Sequence, residues 1–229
     1  MYKRNKKESR TNSKRNVRFE RAPLLLKKRK SQVSRNTSET NIMVKLKLDG
    51  TGMSTIKTGI SFLDHMLTLF SKHGYFDLVI KAQGDLDVDI HHTNEDIALS
   101  LGEAFVKALR DKKGIRRFGF FYVPMEDALV RTVVDISNRP LLVLEGWPKS
   151  DRGGKQYRYI DCEHFLKSFT QAAGLNMHIT VISGRDRHHV IEAVFKSLGR
   201  ALDVATRFDK RSMTVPSTKG IFSYYDSHY

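Results

Sequence analysis

The residues of this chain best suited to chemistry occur twice. His91-His92-Thr-Asn-Glu95 in the first half is answered by His188-His189-Val-Ile-Glu192 in the second. In each motif the glutamate lies four residues after one histidine and three after the other. A helix opening there lets the carboxylate share a face with either imidazole. Adjacent histidines point in different directions, so one pair can serve two separate metals. Upstream, Asp64-His65 and Glu163-His164 each open a further helix, with Phe70 and Phe169 five residues beyond the histidine. The intervals agree, 26 residues from His65 to His91 and 24 from His164 to His188. Divided equally, this set offers each of two metals three imidazoles and one carboxylate. Nitrogen and oxygen donors without thiolate suit Mn, Fe or Zn better than Ca or Mg. Four protein ligands on an octahedral ion leave two positions for substrate or water, which favours manganese over tetrahedral zinc. His73, His178 and His228 fall outside the pattern, and His178 reads as a packed or surface residue of a strand.

The elements that must position these residues show in the hydrophobic pattern. Ile42, Val44, Leu46 and Leu48 alternate with polar or partly polar neighbours, predicting a strand with one buried face. Ile60, Leu63, Leu67 and Phe70 recur at helical spacing and Gly74 closes that helix. Phe76, Leu78 and Ile80 predict another strand. Ile97, Leu101, Phe105 and Ala108 predict a second helix, stopped near Gly114. The second half repeats the plan: Gly174 ends the helix of His164, strand MHITVI matches FDLVI, and Leu198 and Leu202 match Leu101 and Phe105. The expected architecture is α+β, two similar half-domains from an internal repeat, each a mixed sheet covered by two helices. The expected boundaries are 35–120 and 121–220, with a tail at 221–229.

The net charge of +15 resembles a nucleic-acid signal until it is located. Residues 1–34 hold 13 Lys and Arg against Glu8 and Glu20, so the basicity belongs to a terminal segment. That segment has no hydrophobic periodicity and reads as a disordered, solvated extension. Specific nucleic-acid binding is not expected. No apolar run approaches the roughly 18–20 residues needed to span a bilayer. One cysteine, Cys162, cannot form an intramolecular disulfide, which points to the cytoplasm. Neither a Walker loop nor a glycine-rich dinucleotide fingerprint is present.

Several longer stretches carry a resemblance. They are Arg35-Asn-Thr-Ser-Glu39-Thr, FLDHM (62–66), GDLDVDIHHTNED (84–96), the Arg139-Pro140 after DISN, EHF (163–165), HHVIEAVFK (188–196) and PSTKG (216–220). Together, from about Arg35 to Gly220, they resemble the imidazoleglycerol-phosphate dehydratase family. The resemblance implies a ribosomal protein S5 domain 2-like fold and two Mn²⁺ ions per active site. It also implies a homo-24-mer with active sites between subunits, and the loss of water from imidazole glycerol phosphate to give imidazole acetol phosphate in histidine biosynthesis. By position, one metal would take His65, His92, His188 and Glu192, and the other His91, Glu95, His164 and His189. Arg117, Arg139, Lys196, Ser217, Thr218 and Lys219 fall on the substrate-binding positions. Glu39 and His73 fall near the reacting carbons, as candidates for acid–base roles. Four positions depart from the family pattern: Asn138 stands where Gly is usual, Glu126-Asp127 has its acids reversed, and Asp186 replaces Asn. The rival reading is a dinuclear phosphate-ester hydrolase, against which the scarcity of bridging aspartates argues.

Overall fold

The computed structural model describes residues 28–148, 157–212 and 214–218. Eight strands and four helices run in two matched sets. The first is β1 (Lys30–Asn36), β2 (Thr40–Lys47), β3 (Ser54–Lys57), α1 (Ser61–Gly74), β4 (Asp77–Gly84) and α2 (His91–Leu109). The second is β5 (Phe118–Met125), β6 (Ala128–Asp135), β7 (Leu141–Glu145), α3 (Tyr159–Ala173), β8 (Asn176–Ser183) and α4 (Arg187–Thr206). Strand order is β1-β2-β4-β3 in one sheet and β5-β6-β8-β7 in the other. In each sheet the last pair is parallel, because a helix returns the chain, and the others are antiparallel. The expected α+β architecture of two similar halves is what the chain adopts.

Each sheet turns one face to helices, and the helices of one half pack on those of the other, α1 on α4 and α2 on α3. In β2, Ile42, Val44 and Leu46 point inward while Asn41 and Lys45 are exposed, the alternation that the sequence carries. Where the layers meet, Phe70, Phe76, Phe105 and Phe169 are buried together, with ring centroids of neighbouring pairs 5.2–6.3 Å apart. These rings come from α1, the residue just before β4, α2 and α3, so one core joins the halves.

Two glycines let the helices approach. A Cβ on Gly102 of α2 would stand 2.6 Å from Ala172 Cβ and 2.8 Å from Ala173 N in α3. On Gly199 of α4 it would stand 2.6 Å from Phe70 O in α1. Both lie 11 residues after the first histidine of their motif, inside a shared Ser-Leu-Gly (100–102 and 197–199), a repeat signal that hydrophobic periodicity does not reveal. Gly102→Ala is expected to destabilise the protein by about 1–3 kcal/mol, because helix backbone must move apart. Thermal unfolding several degrees lower would register this, and an unchanged midpoint would contradict the close crossing.

Several boundaries differ from expectation. The described fold takes in part of the segment assigned to the extension, since β1 runs from Lys30 and not from Arg35. Val33 is buried, Ser31 Oγ donates to Ala104 O at 2.7 Å, and buried Arg29 pairs with Asp49. Strand β1 is an edge strand with one fully apolar residue, so its only periodic signal is lost in the basic run. The second half starts at Phe118, inside the segment given to the first. Gly74 does not cap α1. Tyr75 takes the left-handed turn at φ 56°, whereas Gly74 is glycine because a Cβ would meet the Phe76 ring at 2.3 Å. Gly174 does cap α3, at φ 64°. That helix starts four residues before Glu163, where Asp161 Oδ2 accepts the Arg158 N–H at 2.7 Å. The extension before Lys28 and the tail at 221–229 lie outside the described residues.

Candidate metal centre

The crossing of α1 and α4 brings together His65, His188 and Glu192, whose ligand atoms all lie within 4.8 Å of one another. His188 Nε2 stands 3.1 Å and His65 Nε2 3.4 Å from the same Glu192 oxygen. The start of α4 is fixed by Asp186, whose carboxylate accepts the His188 N–H at 2.7 Å and the His189 N–H at 3.4 Å. The Phe62 ring meets His188 edge-on at 5.2 Å. Burial alone would raise the Glu192 carboxyl. The hydrogen bond and charge of Lys196, Nζ to Oε1 2.5 Å, outweigh it with help from the two imidazoles and hold the group below its usual value. A carboxylate and two imidazoles facing one point match what a divalent cation requires.

The α2–α3 crossing repeats this with His91, Glu95 and His164. The rings of His91 and His164 stand perpendicular with centroids 4.9 Å apart, and His91 Nε2 is 3.6 Å from Glu95. All three line a cavity of roughly 380 Å³ with Lys167 and Gln171. This set is looser than the first.

His92 and His189 join neither group within one chain. Each turns its Nδ1 to a different carboxylate, His92 to Asp85 at 2.9 Å and His189 to Asp127 at 2.8 Å. Of each predicted set of four ligands the single chain thus brings three near one another, with ligand atoms within 4.8 Å in the first set and around a shared cavity in the second. Asp85 and Asp127 are site residues that sequence reasoning missed. The first was visible as an acid in the loop before the histidines. The second, 62 residues before His189, gives no local sign.

The remaining site residues divide by position. Glu39 lies beside His92, Oε2 to Nδ1 3.5 Å. His73 on α1 faces α4, and burial together with Lys196 and Arg200 pulls its pKa below the ordinary value, which favours the neutral ring. Arg117 N donates to Ala205 O near the far end of α4. At 1.5 Å per residue that is about 20 Å from Glu192. The Arg117 guanidinium forks onto Asp135 at 2.6 and 3.0 Å and donates to Pro216 O at 2.8 Å, holding the segment that carries Ser217 and Thr218. Arg139 is exposed next to Asn138, which adopts φ 58° and accepts a hydrogen bond from the buried Lys112. Burial lowers the Lys112 ammonium to about 8. Lys219 lies outside the described residues.

Lys196→Ala separates two roles for that lysine. If Lys196 Nζ grips an anionic substrate, KM should rise about tenfold or more with kcat little changed, the effect of losing one charged hydrogen bond. A fall in kcat alone would confine its role to Glu192.

A family model described as imidazoleglycerol-phosphate dehydratase matches residues 58–202. Among similar curated proteins of that name, one from Thermoanaerobacter pseudethanolicus is 53% identical over 193 residues, covering 84% of this chain and 99% of that protein. One from Geobacillus kaustophilus is 49% identical over 194 residues, covering 84% and 98%. Two solved structures are similar over most of the chain. The imidazoleglycerol-phosphate dehydratase of Staphylococcus aureus superposes with a TM-score of 0.70 at 37% identity, covering 79% of this chain and 99% of that one. The enzyme from Pyrococcus furiosus, in complex with (S)-C348, gives 0.72 at 37% identity, covering 82% and 99%.

Proposed function

Because the chain belongs to the imidazoleglycerol-phosphate dehydratase family, we propose that it removes water from imidazole glycerol phosphate to give imidazole acetol phosphate, a hydro-lyase step of histidine biosynthesis. The observation that carries this reading is the pair of histidine–carboxylate triads at the two inter-half helix crossings, each one donor short, beside two histidines turned away from both. We propose that the missing donors come from a second copy. One centre then takes His65, His188 and Glu192 with His92 of another chain, and the other takes His91, Glu95 and His164 with another chain's His189.

Two Mn²⁺ ions held there would supply Lewis acidity towards the two nitrogens of the substrate's imidazole. The chain's own residues do the rest. Dehydration needs a base for the C2 proton and an acid for the departing C3 hydroxyl. His73, whose surroundings favour the neutral ring, and Glu39, half-exposed beside His92, carry these two proton transfers. Lys196, Arg139, Ser217, Thr218 and Lys219 hold the phosphate, with Arg117 fixing the backbone of Pro216, and so keep the three-carbon arm in register. A Glu192 centre some 20 Å along α4 from the Arg117 end favours a site built from more than one chain.

The assembly is a homo-oligomer, a 24-mer by the family resemblance. The outer face of β5 supports association, since Phe118, Phe120 and Tyr122 are exposed in a row with Val133 opposite Phe120. Among the described residues no helix is long and apolar enough to cross a membrane. The buried, unpaired thiol of Cys162 supports a cytoplasmic location. The test is direct: incubate the protein with imidazole glycerol phosphate and Mn²⁺ and follow ketone formation. Release of inorganic phosphate without ketone would overturn the reading in favour of ester hydrolysis.

A further inference from the structure

We propose that Asp85 and Asp127 are positioning residues that hold the ring hydrogen of His92 and of His189 on Nδ1, and that Asp85 takes this duty over from Glu39, leaving Glu39 for proton transfer. The inference rests on the metal reading above. An ionised carboxylate only accepts hydrogen bonds, so a histidine whose Nδ1 lies 2.8–2.9 Å from one carries its hydrogen there. Its Nε2 then keeps a lone pair, and among the described residues that nitrogen has no hydrogen-bond partner in either histidine. Such rings are oriented metal donors with no metal group in their own chain.

Comparison of the two halves shows the exchange. Glu39 and Asp127 occupy the same place, the last residue of a hairpin turn before β2 and β6. Asp127 is fully used. One oxygen takes His189, and the other accepts the N–H groups of Arg185 at 2.6 Å and Asp186 at 3.3 Å. Glu39 is not, since its oxygen stands 3.5 Å from His92 Nδ1, beyond a good hydrogen bond. Asp85 has displaced it. That residue follows Gly84 at the end of β4; the residue after Gly184, beyond the end of β8, is Arg185, in a loop three residues shorter. The second half therefore has no acid at that place and relies on the hairpin instead. Asp85 Oδ1 is buried with no hydrogen-bond partner among the described residues, so the carboxylate is committed to the ring through Oδ2 alone.

The test is Mn²⁺ binding to the purified full-length protein by equilibrium dialysis, beside thermal unfolding of the metal-free form. Wild type should bind two ions per chain. Asp85→Asn should weaken one site about 10–100-fold and Asp127→Asn the other, each sparing its counterpart. Glu39→Gln should leave both affinities unchanged while lowering kcat. Equal weakening of both sites by either variant would reveal general structural damage and overturn the assignment. So would unchanged affinity in both aspartate variants, or weakening by Glu39→Gln. If Asp85→Asn unfolds, Asp127→Asn decides alone, since that side chain is 41% exposed and its loss spares the core. A wild type that binds no Mn²⁺ would instead refute the metal reading itself.

Discussion

Protein stripped of divalent cations by a chelator is expected to lose dehydration of imidazole glycerol phosphate to background, with Mn²⁺ restoring it. The size of the effect follows from the reaction. Hydroxide is a poor leaving group and the C2 proton is weakly acidic, so side chains alone, worth roughly 10²–10⁴-fold as acids and bases, fall far short of an enzymatic rate. The same treatment is expected to shrink the assembly, because each centre as proposed would borrow a histidine across an interface. Acid should act as the chelator does, since imidazoles must be neutral to ligate. Full turnover by thoroughly metal-free protein would end the scheme.

Glu192→Gln and His92→Ala are each expected to silence the enzyme, and a co-assembled mixture of the two to regain activity. Glu192 is the oxygen shared by His65 and His188, and a neutral amide in its place leaves one centre without its anionic donor. His92 makes no contact with that triad in its own chain, so by the proposed arrangement the Glu192 centre loses this ligand only where chains meet. In a mixture, an intact triad of the His92→Ala chain can pair with the intact histidine of the Glu192→Gln chain. Random assembly makes about a quarter of the interfaces complete in this respect. Activity of the mixture approaching that fraction, measured after refolding the chains together, supports shared sites. A mixture as inactive as its parents would show that His92 acts within its own subunit.

Much of this was legible in the residues. The duplicated His-His-x-x-Glu motifs and their upstream histidines all lie on helices, and helical periodicity places them within a turn of where they stand. The alternation in Ile42, Val44 and Leu46 was readable because one face of that sheet is buried and the other wet. Strand β1 was not, because an edge strand with a lone apolar Val33 has no pattern to set against thirteen neighbouring cations. The chain also hid which glycines cap and which let helices cross: Gly74 and Gly174 look alike, yet only the second takes the left-handed turn. The reversed acids at Glu126-Asp127 looked like an incidental departure, although Asp127 proves to be the partner of His189.

By itself the sequence determined the donor inventory, the repeat and the identity of the helices, because ligand chemistry and amphipathic period are local properties of a chain. Tertiary structure decided the grouping. His65 joins Glu192 across 127 residues because glycines let α1 and α4 touch, and His189 meets Asp127 because a hairpin turn folds back on the start of α4. Which nitrogen of a ring is held, and which is left for a cation, depends on a neighbour brought up by packing, and spacing along the chain carries no record of it.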